Sequence, residues 1–580
     1  MKKRKNFSKV FQKTKVKPHD RAVFLYLSYR VIIIFMNPTT PTPDQLQAIL
    51  LDRLGLSSTE QQEFLFPTYK LGDVSLFDDM EIAVERIKRA IDSKEQIGIY
   101  ADYDCDGIPG AVVLVDFFKA LGVGENVHVY IPDRHDEGYG VSALGITELE
   151  KKGVTLMITV DVGITALAEV ADAQSRGIDV IVTDHHAPLS IYPAAHAVVH
   201  PAKGTYNKDL CGAAVAFTLV RAFLETYARD YGIVAGWEKW LLDMVGFATL
   251  SDMVPLVGEN RVLAAYGLMV MKKTRRVGLR TLFANNGMLM NNLIETDLTF
   301  TVAPRLNAAS RMKTPMLAFN LLATEDRTEA TTIVAELDKI NNERKLLVAR
   351  ITKEAHARLA AREMPEIVVI GDPEWRPAVL GLVANKLQES YNRSFFVWGE
   401  AGDGTLKGSC RMIGVHHAAY IFQALPEGAM IHGGGHQAAG GFAVTKEQVH
   451  FLEEALNTAH KTLGDTADIK KEVDALEMPL AIVTTRHLQK IRALAPFGVG
   501  NPEPEFLFND VTIVSTKKFG KTKEHLECVV SDSFGTVTAF TFFATDELCT
   551  TCSVGSVISF TATMQAGFRG GVRLRIIEVL

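Results

Sequence analysis

Near its start the chain repeats one pattern: an unbroken apolar run, an acid where the run ends, and then a helical stretch. QIGIYADYDCDG (96–107), TLMITVDVG (155–163) and IDVIVTDHH (178–186) all carry it. Short continuous apolar runs, unlike alternating ones, belong to strands buried on both faces. Helical spacing in AVVLVDFFKALG (111–122) and a further strand-like run, VHVYIPDR (127–134), fall between them. The order predicts βαβ units around a parallel sheet. Ligands of such sheets bind just beyond the carboxyl ends of the strands, which is where these acids stand.

The rest of the chain changes character twice. TPDQLQAILLDRLGL (42–56) and DDMEIAVERIKRAIDS (78–93) have the spacing of helices that precede the first strand. From 324 to 363 Ile333, Leu337, Ile340, Leu347, Ile351 and Leu359 form a near-heptad stripe among Lys, Arg and Glu, which predicts one long helix packed along two domains. EIVVIGD (366–372) restarts an α/β pattern that runs to about 465 and holds PAVLGLVANKL, KGSCRM and the glycine-rich HGGGHQAAGGF (432–442). After LAPFGVGNPEPEF (494–506) come DVTIVS, LECVVS, GTVTAFTFF, GSVISFTAT and VRLRIIEVL, five short strands of a small β-barrel. The expected organisation is an N-terminal extension at 1–41, an α/β domain at 42–323, a linker helix at 324–363, a second α/β domain at 364–465 and a β-rich domain at 466–580.

A chain of 580 residues exceeds what one hydrophobic core serves. Its net charge of −6 excludes a globally basic nucleic-acid binder, so any such partner is held by local arginines and lysines or through metal ions. The six scattered cysteines fit a reducing compartment; Cys549 and Cys552 form a lone CxxC, too little for a zinc site. Nine basic residues before position 22 and the apolar run at 22–36 superficially resemble a secretory signal. Arg30 interrupts that run and NPTTPTP follows it, so a poorly ordered, dispensable extension is expected, with Met36 as an alternative start. No other segment reads as transmembrane, and the expected location is the cytoplasm.

Each acidic motif has an ordinary explanation when taken singly. DYDCDG is an acidic turn, Asp161 in TVDVGIT a helix cap, and the histidines of TDHH loop residues. Together, Asp104, Asp106, Asp161, His185 and Asp252 (in FATLSDMVPLVGENR) all end apolar segments of one α/β region. Five such ligands suffice for two cations bridged by a carboxylate, the usual device for phosphoryl displacement. Imidazole among carboxylates suits Mn²⁺ somewhat better than Mg²⁺.

ADYDCDG, IPDRHDEGYG, VDVGITA, VTDHHAP, LSDMVPLVGENR and APRLNAASR, in this order, resemble the DHH phosphoesterase superfamily. HGGGHQAAGGF is similar to its DHH-associated domain, and the β-rich tail with LAPFGVGNPEPEF narrows the resemblance to the family's bacterial single-strand-specific 5′→3′ exonucleases. The resemblance spans about residues 45 to 580. It implies two α/β domains, DHH and DHH-associated, joined by a long helix, plus an OB-like barrel. It further implies that Asp104, Asp106, Asp161, His185 and Asp252 bind two Mn²⁺ or Mg²⁺ ions. By the same resemblance His186 faces the scissile phosphate or completes the metal shell, Asp184 orients the histidines, and Asp102 supports the site or joins it as a ligand.

For the substrate, the resemblance points to Arg134, Arg305, Asn307 and Arg311 as phosphate contacts. Ser409, Arg411, Gly434, Gly435 and His436 would face the metals from the second domain and hold a 5′-phosphate, the glycine backbone forming an anion nest. KKFGKTK (517–523) sets Lys517, Lys518, Lys521 and Lys523 around Phe519, a pattern that suits single strands. Cys105, Pro109 and Ser310 depart from the family pattern beside the site without removing a ligand. The implied activity is release of mononucleotides from single-stranded DNA by a monomer in recombination and repair, alongside a helicase and a single-strand-binding protein. A small-substrate DHH phosphodiesterase and a non-catalytic strand-binding DHH protein are the alternatives.

Overall fold

Strand β1 (Gln96–Ala101) is the centre from which the first domain grows. It pairs in parallel with β2 (Val127–Tyr130) and β3 (Val154–Val160), and β3 continues through β4 (Asp179–Thr183) to β5 (Ala197–Val199). The sheet order is β2-β1-β3-β4-β5. Alternate side chains enter two different cores. Ile97, Ile99, Leu156, Ile158 and Ile181 pack under the helices Met80–Asp92, Gly107–Ala120 and Gly212–Tyr227. Tyr100, Met157, Val180 and Val182 pack against Ala143–Lys151 and Leu167–Ser175. Two covered faces are why these strands read as continuous apolar runs.

These statements concern residues 40–580, apart from 207, 403, 415–417, 436, 437, 464–474, 521, 522, 568 and 569, in a computed structural model of the chain. The chain forms two compact units: one is Leu50–Asp468 with Ile491–Glu503, the other holds Ile469–Lys490 and Pro504–Leu580 with the residues up to Ile49.

Within the larger unit a 33-residue helix, Arg327–Leu359, starts at Asp326, whose carboxylate accepts from the Thr328 and Glu329 amides. Its first half buries Ala330, Ile333, Val334 and Leu337 in the first core. Its second half buries Val348, Ile351, Ala355 and Leu359 against a second sheet. That sheet has the order β6-β7-β8-β10-β9, with strands Ile367–Gly371, Ser394–Glu400, Leu406–Arg411, Ala439–Val444 and His432–Gly435 in that order. Only β6 and β7 are parallel. Helix Pro377–Tyr391 packs between the linker helix and this sheet.

In the smaller unit β12 (Phe506–Phe519) pairs with β13 (His525–Asp532) on one side and β15 (Val557–Ala566) on the other. Strands β14 (Gly535–Thr541) and β16 (Val572–Val579) complete the ring, closing a five-stranded barrel. The two-residue β11 (Leu476–Glu477) adds to β12 outside it. All five tail segments expected from the sequence are strands, and closure removes the free edges. Among the described residues no helix is long and apolar enough to cross a membrane.

Candidate metal centre

Beyond the ends of β1, β3 and β4 the backbone turns hard, and each turn presents a carboxylate or an imidazole. After β1 the Asp104 carboxylate accepts from the amides of Asp106 and Gly107, folding the acids over the start of helix Gly107–Ala120. A Cβ at Gly107 would sit 2.5 Å from the Asp102 carbonyl oxygen, so this turn requires glycine. Asp106 is buried at the N-terminus of helix Gly212–Tyr227, where both its oxygens accept backbone amides, from Gly212 at 2.6 Å and Ala213 at 2.8 Å. That helix end supplies partial positive charge to an otherwise crowded anion. Asp161 follows β3 with φ of 61°, a left-handed backbone unusual outside glycine. Asp252, which the sequence placed after an apolar run, caps the C-terminus of helix Leu242–Ser251.

These groups converge. The Nε2 atom of His185 lies 3.2 Å from Asp161 Oδ1 and 3.7 Å from both Asp106 Oδ2 and Asp252 Oδ2. Ligand atoms come within 4.8 Å of one another in three sets: Asp106 with His185 and Asp252; Asp102 with Asp104 and Asp161; and Asp161 with His185 and His186. Asp161 and His185 each belong to two of these sets. Asp102 stands in one set with Asp104 and Asp161. His186 Nδ1 donates to Asp184 Oδ1, 2.8 Å away, and Asp184 also accepts the amides of Ile164, His185 and His186.

The electrostatics call for cations. Burial, then the charges of Asp106, Asp104 and Asp102, push Asp161 well above the usual carboxylate range. Burial and Asp104 do the same to Asp102. Asp252 is pushed up to about 9 by burial and the neighbouring Asp106 and Asp104. Burial lowers His185, leaving it neutral and fit to ligate. Burial opposes charge on His186, but its bond to Asp184 outweighs this and raises it. Asp102 Oδ1, Asp161 Oδ1 and His185 Nε2 are buried and make no hydrogen bond within the protein. Inward-aimed, unpartnered oxygens and an imidazole nitrogen at this spacing fit divalent ions with mixed N and O ligation.

The substrate candidates divide. The Arg134 guanidinium lies over the Tyr103 ring, 4.9 Å from its centroid. Arg311 is half-buried and donates to the Ala378 carbonyl in the first turn of helix Pro377–Tyr391; desolvation, then nearby Arg134 and Arg344, lower it to about 9. Ser409 and Arg411 on β8 flank the same helix, since a Cβ on Gly381 would meet Ser409 Oγ and Arg411 Nη2 at 3.4 Å. The Asn307 amide oxygen is buried without a partner.

Arg305 is engaged within the protein: its guanidinium donates to Asp338 at 2.6 Å, the Thr301 carbonyl at 2.6 Å and Asn286, which ties its helix to the linker helix. Gly434 and Gly435 fall in a strand at the edge of the second sheet. They lie in β9, opposite Gly441 and Gly440 of β10, where a Cβ on Gly435 would strike the Ala439 carbonyl oxygen at 2.3 Å. His436 and Lys521 lie outside the described residues.

Sequence reasoning missed Arg344, a lone arginine on the long helix with a buried Nε that has no partner. It also missed Tyr139, whose hydroxyl is 3.2 Å from His186 Nδ1, although its EGYG motif was in view. In the barrel Phe519, His525 and Phe542 cluster, with ring centroids 5.1–6.2 Å apart, where β12 turns into β13. All six cysteines are free thiols.

The chain matches the DHH family N-terminal domain at 96–249, the DHHA1 domain at 328–465 and the RecJ OB domain at 474–577. It is 33% identical to the single-stranded-DNA-specific exonuclease RecJ of Escherichia coli over 74% of this chain and 77% of that one. It is 30% identical to that of Dickeya dadantii over 81% and 85% respectively. The RecJ of Bacillus subtilis is 34% identical over 84% of this chain, but the match spans only 61% of that longer protein. Among solved structures, RecJ of Thermus thermophilus in complex with Mn²⁺ superposes with a TM-score of 0.74 at 26% identity, covering 93% of this chain and 78% of that one. An exonuclease RecJ bound to manganese gives 0.58 at 31% identity, covering 67% and 97%. With its three domains in the matching order and its acids gathered at the strand ends, the chain belongs to the RecJ family.

Proposed function

We propose that this protein is a 5′→3′ exonuclease that degrades single-stranded DNA to mononucleotides by two-metal-ion hydrolysis. The observation that carries it is the cluster of Asp102, Asp104, Asp106, Asp161, His185 and Asp252, with Asp161 Oδ1 and His185 Nε2 buried and unpartnered. These residues would hold two Mn²⁺ or Mg²⁺ ions, the metals bound by the RecJ structures of Thermus thermophilus. Such a pair lowers the pKa of an attacking water and stabilises charge on the attacking and leaving oxygens. Asp106, fixed by two helix amides, and Asp184, fixed by three, keep the ligands from relaxing apart. His186, oriented by Asp184, faces the scissile phosphate. The water oxygen would bond to phosphorus as the P–O3′ bond of the first nucleotide breaks; O3′ takes up the proton the water gave, and the phosphate stays on the second nucleotide as a new 5′ end.

Arg311 at the first turn of helix Pro377–Tyr391, Arg344 near it, and Ser409 and Arg411 beside Gly381 of the same helix would grip the incoming 5′-phosphate, because a helix N-terminus with arginines favours anions. The barrel, with Lys517, Lys518, Lys523 and Phe519 at one hairpin, would hold the strand without sequence preference. The cellular role we assign is recombination and repair in the cytoplasm, as a monomer working beside a helicase and a single-strand-binding protein.

The test is digestion of 5′-phosphorylated single strands, duplexes and dinucleotides with Mn²⁺ or with a chelator. Mononucleotide release from long single strands, abolished in Asp161→Ala and His185→Ala, is expected. Preference for dinucleotides would instead indicate a small-substrate phosphodiesterase. Strand binding without cleavage would indicate a non-catalytic protein.

A further inference from the structure

A cavity of about 390 Å³ opens directly beside the cluster and shares His185 and Asp252 with it. That volume lies within the usual range of ligand sites, roughly 300–1,000 Å³. Its walls include Pro201, Leu210 and Met253. Met253 has φ of 62° and is 67% exposed, although it directly follows a ligand candidate. A left-handed residue just past a helix C-cap is ordinarily glycine or asparagine, which adopt it without strain. Keeping a long, apolar, exposed side chain there spends stability on a surface the fold does not use, which points to a ligand.

The strand direction follows from what flanks the cluster. Arg134 stacks on Tyr103, next to Asp104, and so marks the end formed by Asp102, Asp104 and Asp161. The cavity lies at the other end, against His185 and Asp252. A strand whose 5′-phosphate rests on the arginines and whose scissile phosphate crosses the cluster would bring its second nucleotide to the cavity. Apolar and polar groups share the lining, which also carries His200 and the oppositely charged Lys208 and Asp209. Apolar faces with a few hydrogen-bonding groups among them suit a base.

We propose that this cavity is a subsite for the base of the nucleotide on the 3′ side of the scissile phosphate, packed against Met253, Pro201 and Leu210. This rests on the exonuclease reading above. It explains how the chain would hold its register after each cut: the second base stays docked while the first nucleotide leaves.

The experiment uses the full-length protein and 5′-phosphorylated single strands. In EDTA, 2-aminopurine is placed at position 2 or position 6, and fluorescence is followed on binding. A saturable change at position 2 that Met253→Ala removes, with position 6 indifferent to that substitution, is expected. With Mn²⁺, an abasic residue is walked along the strand. Loss of the base at position 2 should lower kcat/KM for the first cleavage about tenfold in the wild type, a normal value for one apolar group leaving its pocket, and clearly less in Met253→Ala. The walk in the wild type needs no variant to fold. Cleavage that ignores the base at position 2, or an equal penalty in Met253→Ala, overturns the subsite while leaving the exonuclease reading intact. A position-2 signal without any metal-dependent cleavage supports the subsite and defeats the exonuclease reading.

Discussion

Asp161 Oδ1 and His185 Nε2 lie 3.2 Å apart, yet neither makes a hydrogen bond within the protein. Two buried polar atoms so close, each with its lone pairs on a common space, are stabilised by a shared cation or, in its absence, by a proton. Metal binding should therefore raise the melting temperature. At a hundred times Kd, Mn²⁺ adds about 2.7 kcal/mol by mass action. Differential scanning fluorimetry against Mn²⁺ concentration should show a rising midpoint in the wild type and a much smaller rise in Asp161→Ala.

The metal-free protein should lose stability as pH rises. Asp102, Asp161 and Asp252 have folded-state pKa values above their unfolded ones, with Asp252 at about 9, because burial and mutual repulsion disfavour ionisation. The folded state then binds more protons than the unfolded chain, and the stability these groups contribute falls from about pH 4 up towards pH 9. Thermal melts in EDTA between pH 5 and pH 8.5 should slope downward. The slope should flatten in Asp161→Asn, and Mn²⁺ should remove most of it.

Asp184→Asn keeps the shape of the side chain but removes the charge that holds His186. Activity should fall about 10- to 100-fold, the usual cost of losing a partner behind a metal site. Because the Asp184 bond is what raises His186, its pKa in the metal-free variant should drop, as NMR titration of the imidazole would register.

Gly212→Ala places a Cβ about 2.5 Å from the Cβ of Asp161. Overpacking of this kind costs about 1–3 kcal/mol, and here the displaced atom carries a ligand. Both the melting midpoint and the Mn²⁺ affinity should fall, the latter measured by calorimetry on the folded protein.

Arg344→Ala should cut activity on 5′-phosphorylated strands about 10- to 100-fold, the value of one charge-assisted hydrogen bond at roughly 1.5–3 kcal/mol. Strands with a 5′-hydroxyl should be much less affected. Arg305→Ala should lower stability without altering that ratio, since its guanidinium serves Asp338, Thr301 and Asn286. An equal loss on both kinds of strand in Arg344→Ala would remove it from the phosphate pocket.

What could be read in the chain depended on whether a residue's role is local. Runs such as TLMITV and VISFTAT declare buried strands because sheet burial leaves its period in consecutive residues. The long helix was legible from its stripe, and it spans Arg327–Leu359. Glycine-rich HGGG gave no sign of its strand, because a paired strand and an anion nest use the same residue for different reasons. Arg305 and Arg344 were indistinguishable as text; the partners that separate them, Asp338 for one and none for the Nε of the other, come from elsewhere in the chain.

The sequence by itself determined the doubly wound sheet, the barrel and the acids and histidines at the strand ends, since periodicity and turn residues act over a few positions. Only the tertiary structure decided which of them converge on one space. Asp106 meets Gly212 across about a hundred residues of chain, and Asp252 reaches His185 from the end of a helix, not of a strand. Such convergence is set by how helices pack on the sheet, and packing leaves no mark on the spacing of the residues it brings together.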